Sequence, residues 1–388
     1  MISIQQALKI IEEQQIELSS REIALEDSYG FYLAEEIRSP FDLPSFDNSA
    51  MDGYVVSGRC ETYRIVGEIP AGKRAEVTLQ KGEAMRIFTG ARVPQNATAV
   101  VMQEKTRVAN SVLHVEEAIT KGQHIRERGN ELSQGQTVFA PGHFISPASV
   151  GLIGSLGMNR VKVFGKPGIR IISTGDELVD PGHKKSAGQI FESNSYALKA
   201  VLKRFGFECR QNAHIKDDFS AIKTGIAEFL DHSDVLLISG GISVGDYDFV
   251  EQALEENGVT ELFYKVFQKP GKPLYFGRKN NKFVFALPGN PASSLTCFYI
   301  HVLPLLQRLS GASETGLERV SLPVRHKYEY RSDRPVFLKA KVENETVSIL
   351  NRQSSSMIHS MAMGNALVCL EGPKSVRQGD LVETLLID

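Results

Sequence analysis

The sequence predicts a multidomain α/β and β protein: a central three-layer α/β domain on a mostly parallel sheet, a β-rich N-terminal module and a small C-terminal β-barrel. Three observations lead there. From Ile169 to about Leu309 near-continuous apolar strands alternate with helical stretches, the pattern of a parallel sheet covered on both faces. On either side, short β-rich runs are separated by Gly, Pro and Asn turns, which suits irregular sheets and small barrels. A chain of 388 residues also exceeds what one core usually organises. The expected boundaries are 1–165, 166–312 and 318–388.

In chain order, Ser3 followed by Gln6 is a capping-box signal, and Ile4, Leu8 and Ile11 recur at helical spacing. The chain therefore opens with a helix. TYRIVGEI, AVVMQEKTRV, SVLHVEEAI, QTVFA and VKVF read as strands of the N-terminal module. In FGKPGIRII, Gly165, Pro167 and Gly168 punctuate the chain just before a continuous apolar strand, which marks a boundary. IRIIST is followed by a helix from Ser195 to Phe205 stopped by Gly206, then the strand FECRQNAHI and a helix from Phe219 to Leu230. DVLLISGG leads to a helix beginning near Asp248, and KFVFALPGN to a long helix from Ala292 to Leu309. VFLKAKV, TVSIL, ALVCL and LVETLLI form the C-terminal strands.

Composition excludes several classes. With 42% hydrophobic and 23% charged residues the chain is a globular protein, not a disordered one. A net charge of -2 leaves no basic excess for a nucleic-acid backbone, so any anion site is local. Four scattered cysteines with no CxxC pair indicate neither zinc nor disulfides, and a reducing compartment fits. The N-terminus has no secretory pattern and the chain lacks the run of about 18 apolar residues that spans a membrane. A cytoplasmic protein without a membrane partner is expected.

Ligands of open α/β sheets bind at the carboxyl ends of the strands. There this sequence places Ser173-Thr174-Gly175-Asp176-Glu177, Asp217-Asp218, the run Ser239-Gly240-Gly241-Ile242-Ser243 through Asp248, and Pro288-Gly289-Asn290-Pro291. Asp248 and Asn290 could each serve as an ordinary helix cap, with Pro291 at the first helical position. Taken jointly, glycine turns that aim N–H groups at an anion, set beside Glu177, Asp217 and Asp248, imply Mg²⁺ between carboxylates and phosphate. Lys265 and the turn Lys269-Pro270-Gly271-Lys272-Pro273 follow as a cationic element whose backbone the prolines restrict. Read alone, such lysines are more often a solvated face; the rigidity points to an oxyanion. FDNSAMDGY, with Asp52, and RIFTGA, with Thr89, stand out in the N-terminal part, although turns rich in Asp, Asn and Gly need no function to explain them.

Together FDNSAMDGY, RIFTGA, STGDEL, SGGISVGDYD, KPGKP and LPGNP resemble, in order and approximate spacing, the motifs of the MoeA family, to which the gephyrin E domain also belongs. The resemblance runs through almost the whole chain. It implies a MoaB/MogA-like central domain behind a MoeA-type N-terminal region, and a molybdenumtransferase that inserts molybdate into adenylyl-molybdopterin with release of AMP. It further implies that Asp52, Thr89, Glu177, Asp217, Asp248, Lys265 and Lys269 are catalytic. Thr174, Gly240, Gly241, Ser243, Lys272, Pro288, Asn290 and Pro291 would contact substrate, with Asp248 and Glu177 on Mg²⁺. In such enzymes the site is similar to a cleft between one subunit and the N-terminal region of its partner, so a homodimer is expected, with an adenylyltransferase as a further partner. One departure is visible: Gly129-Asn130-Glu131 stands where the family has Gly-x-Asp, and Glu131 is left out of the site. The alternatives are a molybdopterin adenylyltransferase, which would need only the central domain, and a gephyrin-like scaffold that binds peptides.

Overall fold

The capping box at Ser3 forms as the sequence predicts: the Ser3 hydroxyl accepts from the Gln6 N–H at 3.1 Å, the Gln6 side chain accepts from the Ser3 N–H at 2.9 Å, and helix α1 runs over Ile4–Glu12. Its apolar stripe buries Ile4, Ala7 and Ile11. A computed structural model describes residues 1–73, 77–242 and 249–387 of the chain. Two compact units emerge: Met1–Ala34, Gly142–Ser146 and Val161–Asp388 make one, and Glu35–Pro141 with Pro147–Arg160 the other.

In the larger unit the strands β1 (Ile169–Thr174), β2 (Cys209–Ile215), β3 (Val235–Ser239), β4 (Thr260–Tyr264), β5 (Tyr275–Lys279) and β6 (Lys282–Leu287) form one sheet in the order β2-β1-β3-β6-β5-β4. The four strands from β2 to β6 in that order are parallel, and β5 and β4 complete the sheet antiparallel. Burial follows position. Every residue of β3 is buried, as a central strand requires, whereas edge strand β2 carries Arg210, Gln211 and Asn212 exposed. Helices α2 (Asn194–Arg204), α3 (Phe219–Asp231), α4 (Val250–Glu256), α5 (Pro291–Cys297) and α6 (Leu303–Leu309) cover its faces. Ile222, Ile226 and Leu254 pack with Ile172, Leu236 and Ile238 in one apolar cluster, while Leu198, Leu303 and α1 pack with Ile171, Leu237 and Phe285 in another.

Two expectations are refined. The long helix expected from Ala292 to Leu309 is interrupted by a π turn, Phe298–Val302, between α5 and α6. The expected cap at Asp248 lies outside the described residues; among those described the helix starts at Val250.

The C-terminal strands β7 (Arg319–Pro323), β8 (Val336–Glu343), β9 (Thr346–Ile349), β10 (Ala366–Leu370) and β11 (Leu381–Leu386) form an antiparallel sheet in the order β7-β11-β10-β8-β9. Just past β7, Arg325 donates its N–H to Val347 O at 2.8 Å, bringing the two edges together as in a small barrel. One face of this sheet has its own core around Val336, Leu338 and Val368, and the other lends Phe337, Leu367 and Leu385 to the cluster beneath the central sheet.

The smaller unit is built on a mixed six-stranded sheet in the order Ala99–Met102, Gly53–Val56, Glu83–Ile87, Thr62–Ile69, Val112–Val115, Thr106–Ala109. Alternation gives it apolar clusters on both faces, Val55, Ile87 and Val100 on one and Val56, Ala84 and Val101 on the other. No helix among the described residues is long and apolar enough to cross a membrane.

Candidate active site

The carboxyl ends of β1, β3 and β6 open onto a cleft of about 650 Å³ lined by Thr174, Glu177, Asp217, Gly240, Gly241, Pro288, Asn290 and Pro291, all of them residues that the sequence singles out. Close backbone approach explains the glycines. A Cβ on Gly240, which has φ +99, would lie 2.7 Å from the Thr174 carbonyl oxygen, so no larger residue fits where β3 turns beside β1. The rim loops are cross-braced: Asp217 accepts from the Asp176 N–H at 3.3 Å, and Asp176 accepts from the Asp217 N–H at 3.2 Å. Asp218, next in sequence, caps α3 through the Ala221 N–H at 2.8 Å. One of the two adjacent carboxylates thus starts a helix while the other joins the rim.

Sequence reasoning missed two members of the cleft. Asn194, at the start of α2, donates to Ser239 Oγ and to the Gly289 carbonyl, each at 2.8 Å, and so clips the end of β3 to the turn after β6. Glu192 is buried and accepts from the Ser195 N–H at 2.8 Å and hydroxyl at 2.7 Å. The string Glu-Ser-Asn-Ser before an apolar helix was the available signal; only the helix that follows it was expected there. Thr174 Oγ1 and Asn194 Oδ1 are buried with no hydrogen-bond partner among the described residues. Buried polar atoms are rarely left so, and both belong to residues that line the cleft, which fits a polar ligand.

A second cleft, of about 550 Å³, shares Pro273, Pro288 and Asn290 with the first and is lined by Lys269, Lys272, Ser354 and Ser355. Its shape depends on the turn at Gly271. Gly271 has φ +84, and a Cβ there would lie 2.4 Å from Cys297 Sγ. Gln268, fully buried, donates to the carbonyls of Pro270 and Gly271, both at 3.2 Å, and its oxygen accepts from His301 Nε2 at 2.8 Å. His301 stands on the π turn, so the helical irregularity and the lysine turn form one buried network. Burial pushes the His301 pKa down to about 3, which keeps the ring neutral. Lys269 is also tied by its main chain to the C-terminal sheet, donating to Pro335 O and accepting from Phe337 N, each at 2.8 Å. Asn290 precedes Pro291 but makes no side-chain cap; its amide donates to Ser355 Oγ at 3.1 Å. The bland cap reading of Asn290 gives way to a strut across the second cleft.

The remaining residues singled out from the sequence fall elsewhere. Lys265 lines neither cleft, and its ammonium lies 4.4 Å from the Tyr264 ring centroid. Asp52 and Thr89 pair with each other in the smaller unit, where Asp52 Oδ1 accepts from the Thr89 N–H and hydroxyl, both at 2.7 Å. Those two bonds hold the Asp52 carboxyl below its ordinary value. Ser243 and Asp248 lie outside the described residues. No group of three or more His, Cys, Asp or Glu among the described residues forms a metal cage.

A mostly parallel sheet with glycine turns, carboxylates and an adjoining lysine turn at its carboxyl ends defines an α/β protein of the kind that binds small molecules at its strand ends. Known proteins share this build. Residues 2–157 match the MoeA N-terminal region (domain I and II), and residues 170–308 match the probable molybdopterin binding domain. The chain is 37% identical to a molybdopterin molybdenumtransferase of Nostoc sp. over 78% of its own length and 72% of that protein. It is 33% identical to the protein of the same name from Haemophilus influenzae, over 81% of this chain and 79% of the other. The crystal structure of the molybdopterin biosynthesis moeA protein from Pyrococcus horikoshii OT3 superposes with a TM-score of 0.84 at 28% identity, covering all of both chains. The chain belongs to the MoeA family of molybdopterin molybdenumtransferases.

Proposed function

We propose that this protein acts in the cytoplasm as a homodimer that joins molybdate to the two thiolates of adenylyl-molybdopterin and parts the adenylyl group as AMP. The observation that carries this reading is the shared wall of the two clefts: a carboxylate- and glycine-lined cleft for a phosphate-bearing ligand adjoins a lysine-lined cleft for an oxyanion, with Pro273, Pro288 and Asn290 common to both.

The residues then divide the work. Gly240 and Gly241, with Thr174 and Asn194, would receive the polar substrate, whose hydrogen bonds would satisfy the two buried atoms that lack partners. Lys269 and Lys272 would set positive charge against the molybdate dianion. Pro288 and Pro291, on the wall of the first cleft, would contact substrate, whereas Lys265, which the resemblance makes catalytic, lines neither cleft and is given no step here. Glu177 on the cleft, with Asp248, suits Mg²⁺ held by one or two carboxylates plus substrate phosphates, which needs no protein cage. When bound, Mg²⁺ would lower the negative charge that opposes chemistry at the phosphoanhydride. Asp217, whose carboxylate accepts from the Asp176 N–H at the rim, would take the catalytic place that the resemblance gives it. Asp52, its charge favoured by Thr89, would act on the substrate from the partner subunit, with an adenylyltransferase as the supplier of that substrate.

Two incubations test this reading. The protein should release AMP from adenylyl-molybdopterin and should form no adenylyl-molybdopterin from ATP and molybdopterin. The second activity without the first would mark it as an adenylyltransferase.

A further inference from the structure

Lys339 sits on β8 with 3% of its surface exposed, in a stretch where Val336, Phe337, Leu338 and Ala340 are buried as well. An apolar side chain would suit such a position. Its ammonium instead donates to three main-chain carbonyls, Arg352 at 2.9 Å, Ser354 at 3.0 Å and Met357 at 3.0 Å, which uses all three of its donors. No carboxylate pairs with it among the described residues. Burying a charge without a counter-ion is costly unless hydrogen bonds offset it, so the three carbonyls and the lysine hold one another in place.

Those carbonyls belong to a single loop, and several other features converge on it. Gln353 clamps the main chain of Lys339 from both sides, accepting from its N–H at 2.9 Å and donating to its carbonyl at 2.8 Å. Arg352 adopts φ +64, a left-handed conformation rare for such a residue, and its carbonyl accepts a second bond from Ser360 Oγ at 2.8 Å. The loop fixed in this way carries Ser354 and Ser355 into the lysine-lined cleft and Ser356 into the neighbouring one. It also meets the first turn of α5, where the Ala292 N–H donates to Ser355 O at 3.1 Å.

We infer that Lys339 is a positioning residue for oxyanion binding: it never touches the anion but locks the Ser354–Ser356 loop as the wall of the cleft that faces Lys269 and Lys272. This rests on the proposed function, in which that cleft takes molybdate. The wall comes from the C-terminal sheet and the lysine turn from the central one, so the anion site is assembled by two sheets of the same unit.

The test compares wild type with Lys339→Met and Ser360→Ala by calorimetric titration with molybdate and by steady-state AMP release. Lys339→Met should raise the molybdate Kd and KM about tenfold or more, with kcat at saturating molybdate within about twofold of wild type. Ser360→Ala, which removes the hydroxyl shared between the Arg352 and Met357 carbonyls of the same loop and leaves Lys339 in place, should shift molybdate KM in the same direction by a smaller factor; it serves should Lys339→Met fail to fold. A merely structural lysine would lower the amount of active protein, hence kcat, and leave KM alone. Wild-type protein that binds molybdate, with folded variants that bind it equally well, overturns the inference alone. Wild-type protein that takes up no molybdate overturns the functional reading and the inference with it.

Discussion

Asp52 Oδ1 accepts two hydrogen bonds from one residue, the N–H and the hydroxyl of Thr89, each at 2.7 Å. The larger effect on the carboxyl comes from the N–H, which a side-chain substitution leaves in place. Thr89→Ala should therefore raise the Asp52 pKa part of the way back toward its ordinary 3.8. A carboxyl held low favours the folded state above its unfolded pKa, and that contribution is lost as pH falls through the folded one, so the change should cost stability at neutral pH and cost nothing below the folded pKa. An NMR titration of the Asp52 carboxyl carbon checks this; identical midpoints in the two proteins would show that the hydroxyl bond has no effect.

His301 runs in the opposite sense. Its folded pKa of about 3 lies below its ordinary 6.5, so as pH falls from 6.5 the unfolded chain takes up a proton that the folded protein refuses, and wild type loses stability. Between pH 8 and pH 5 this amounts to roughly 2 kcal/mol, from about 1.4 kcal/mol per pH unit below 6.5. His301→Met leaves the Gln268 oxygen without its donor and should be less stable than wild type at pH 8, with the gap closing by about that amount at pH 5. Urea unfolding at both pH values provides the measurement, and a constant gap would contradict the burial account.

Lys269→Ala should raise the molybdate concentration for half-maximal rate while the thermal midpoint stays nearly unchanged. The main-chain bonds to Pro335 and Phe337 survive the substitution, and what is lost is the side chain beyond Cβ with its ammonium, which lies 5.9 Å from the Tyr330 ring centroid. An unchanged molybdate requirement with a weaker response to adenylyl-molybdopterin would reassign Lys269 to the phosphate.

Glu177→Gln should lower AMP release and raise the Mg²⁺ concentration needed for it, because the amide removes an anionic oxygen from the cleft and keeps the side chain's size. Rates across a Mg²⁺ series decide the matter. A variant with the wild-type Mg²⁺ dependence would remove Glu177 from the metal.

Much of this was legible in the sequence. Period and composition gave the alternation from Ile169 to Leu309, because strands buried on both faces must be apolar along their length. The rim was legible through its glycines and carboxylates. Long-range pairing was not. Nothing local in KFVFAL or YFGRK tells that the sheet ends with two antiparallel strands. The Gln268–His301 network and the Lys339 clamp join residues 33 and up to 18 positions apart, and each looks like an ordinary polar residue in an apolar run until packing brings its partners together. Asn290 shows the converse: beside Pro291 its local signal for a cap was strong, and a contact with Ser355, 65 residues away, took the side chain instead.

Single-turnover AMP release from purified adenylyl-molybdopterin, with and without molybdate, tests the central claim most directly. Molybdate should accelerate release in the presence of Mg²⁺, and metal-bearing molybdopterin should appear in step with the AMP. AMP release that ignores molybdate, or no release under either condition, would contradict the assignment of the two adjoining clefts to the two substrates.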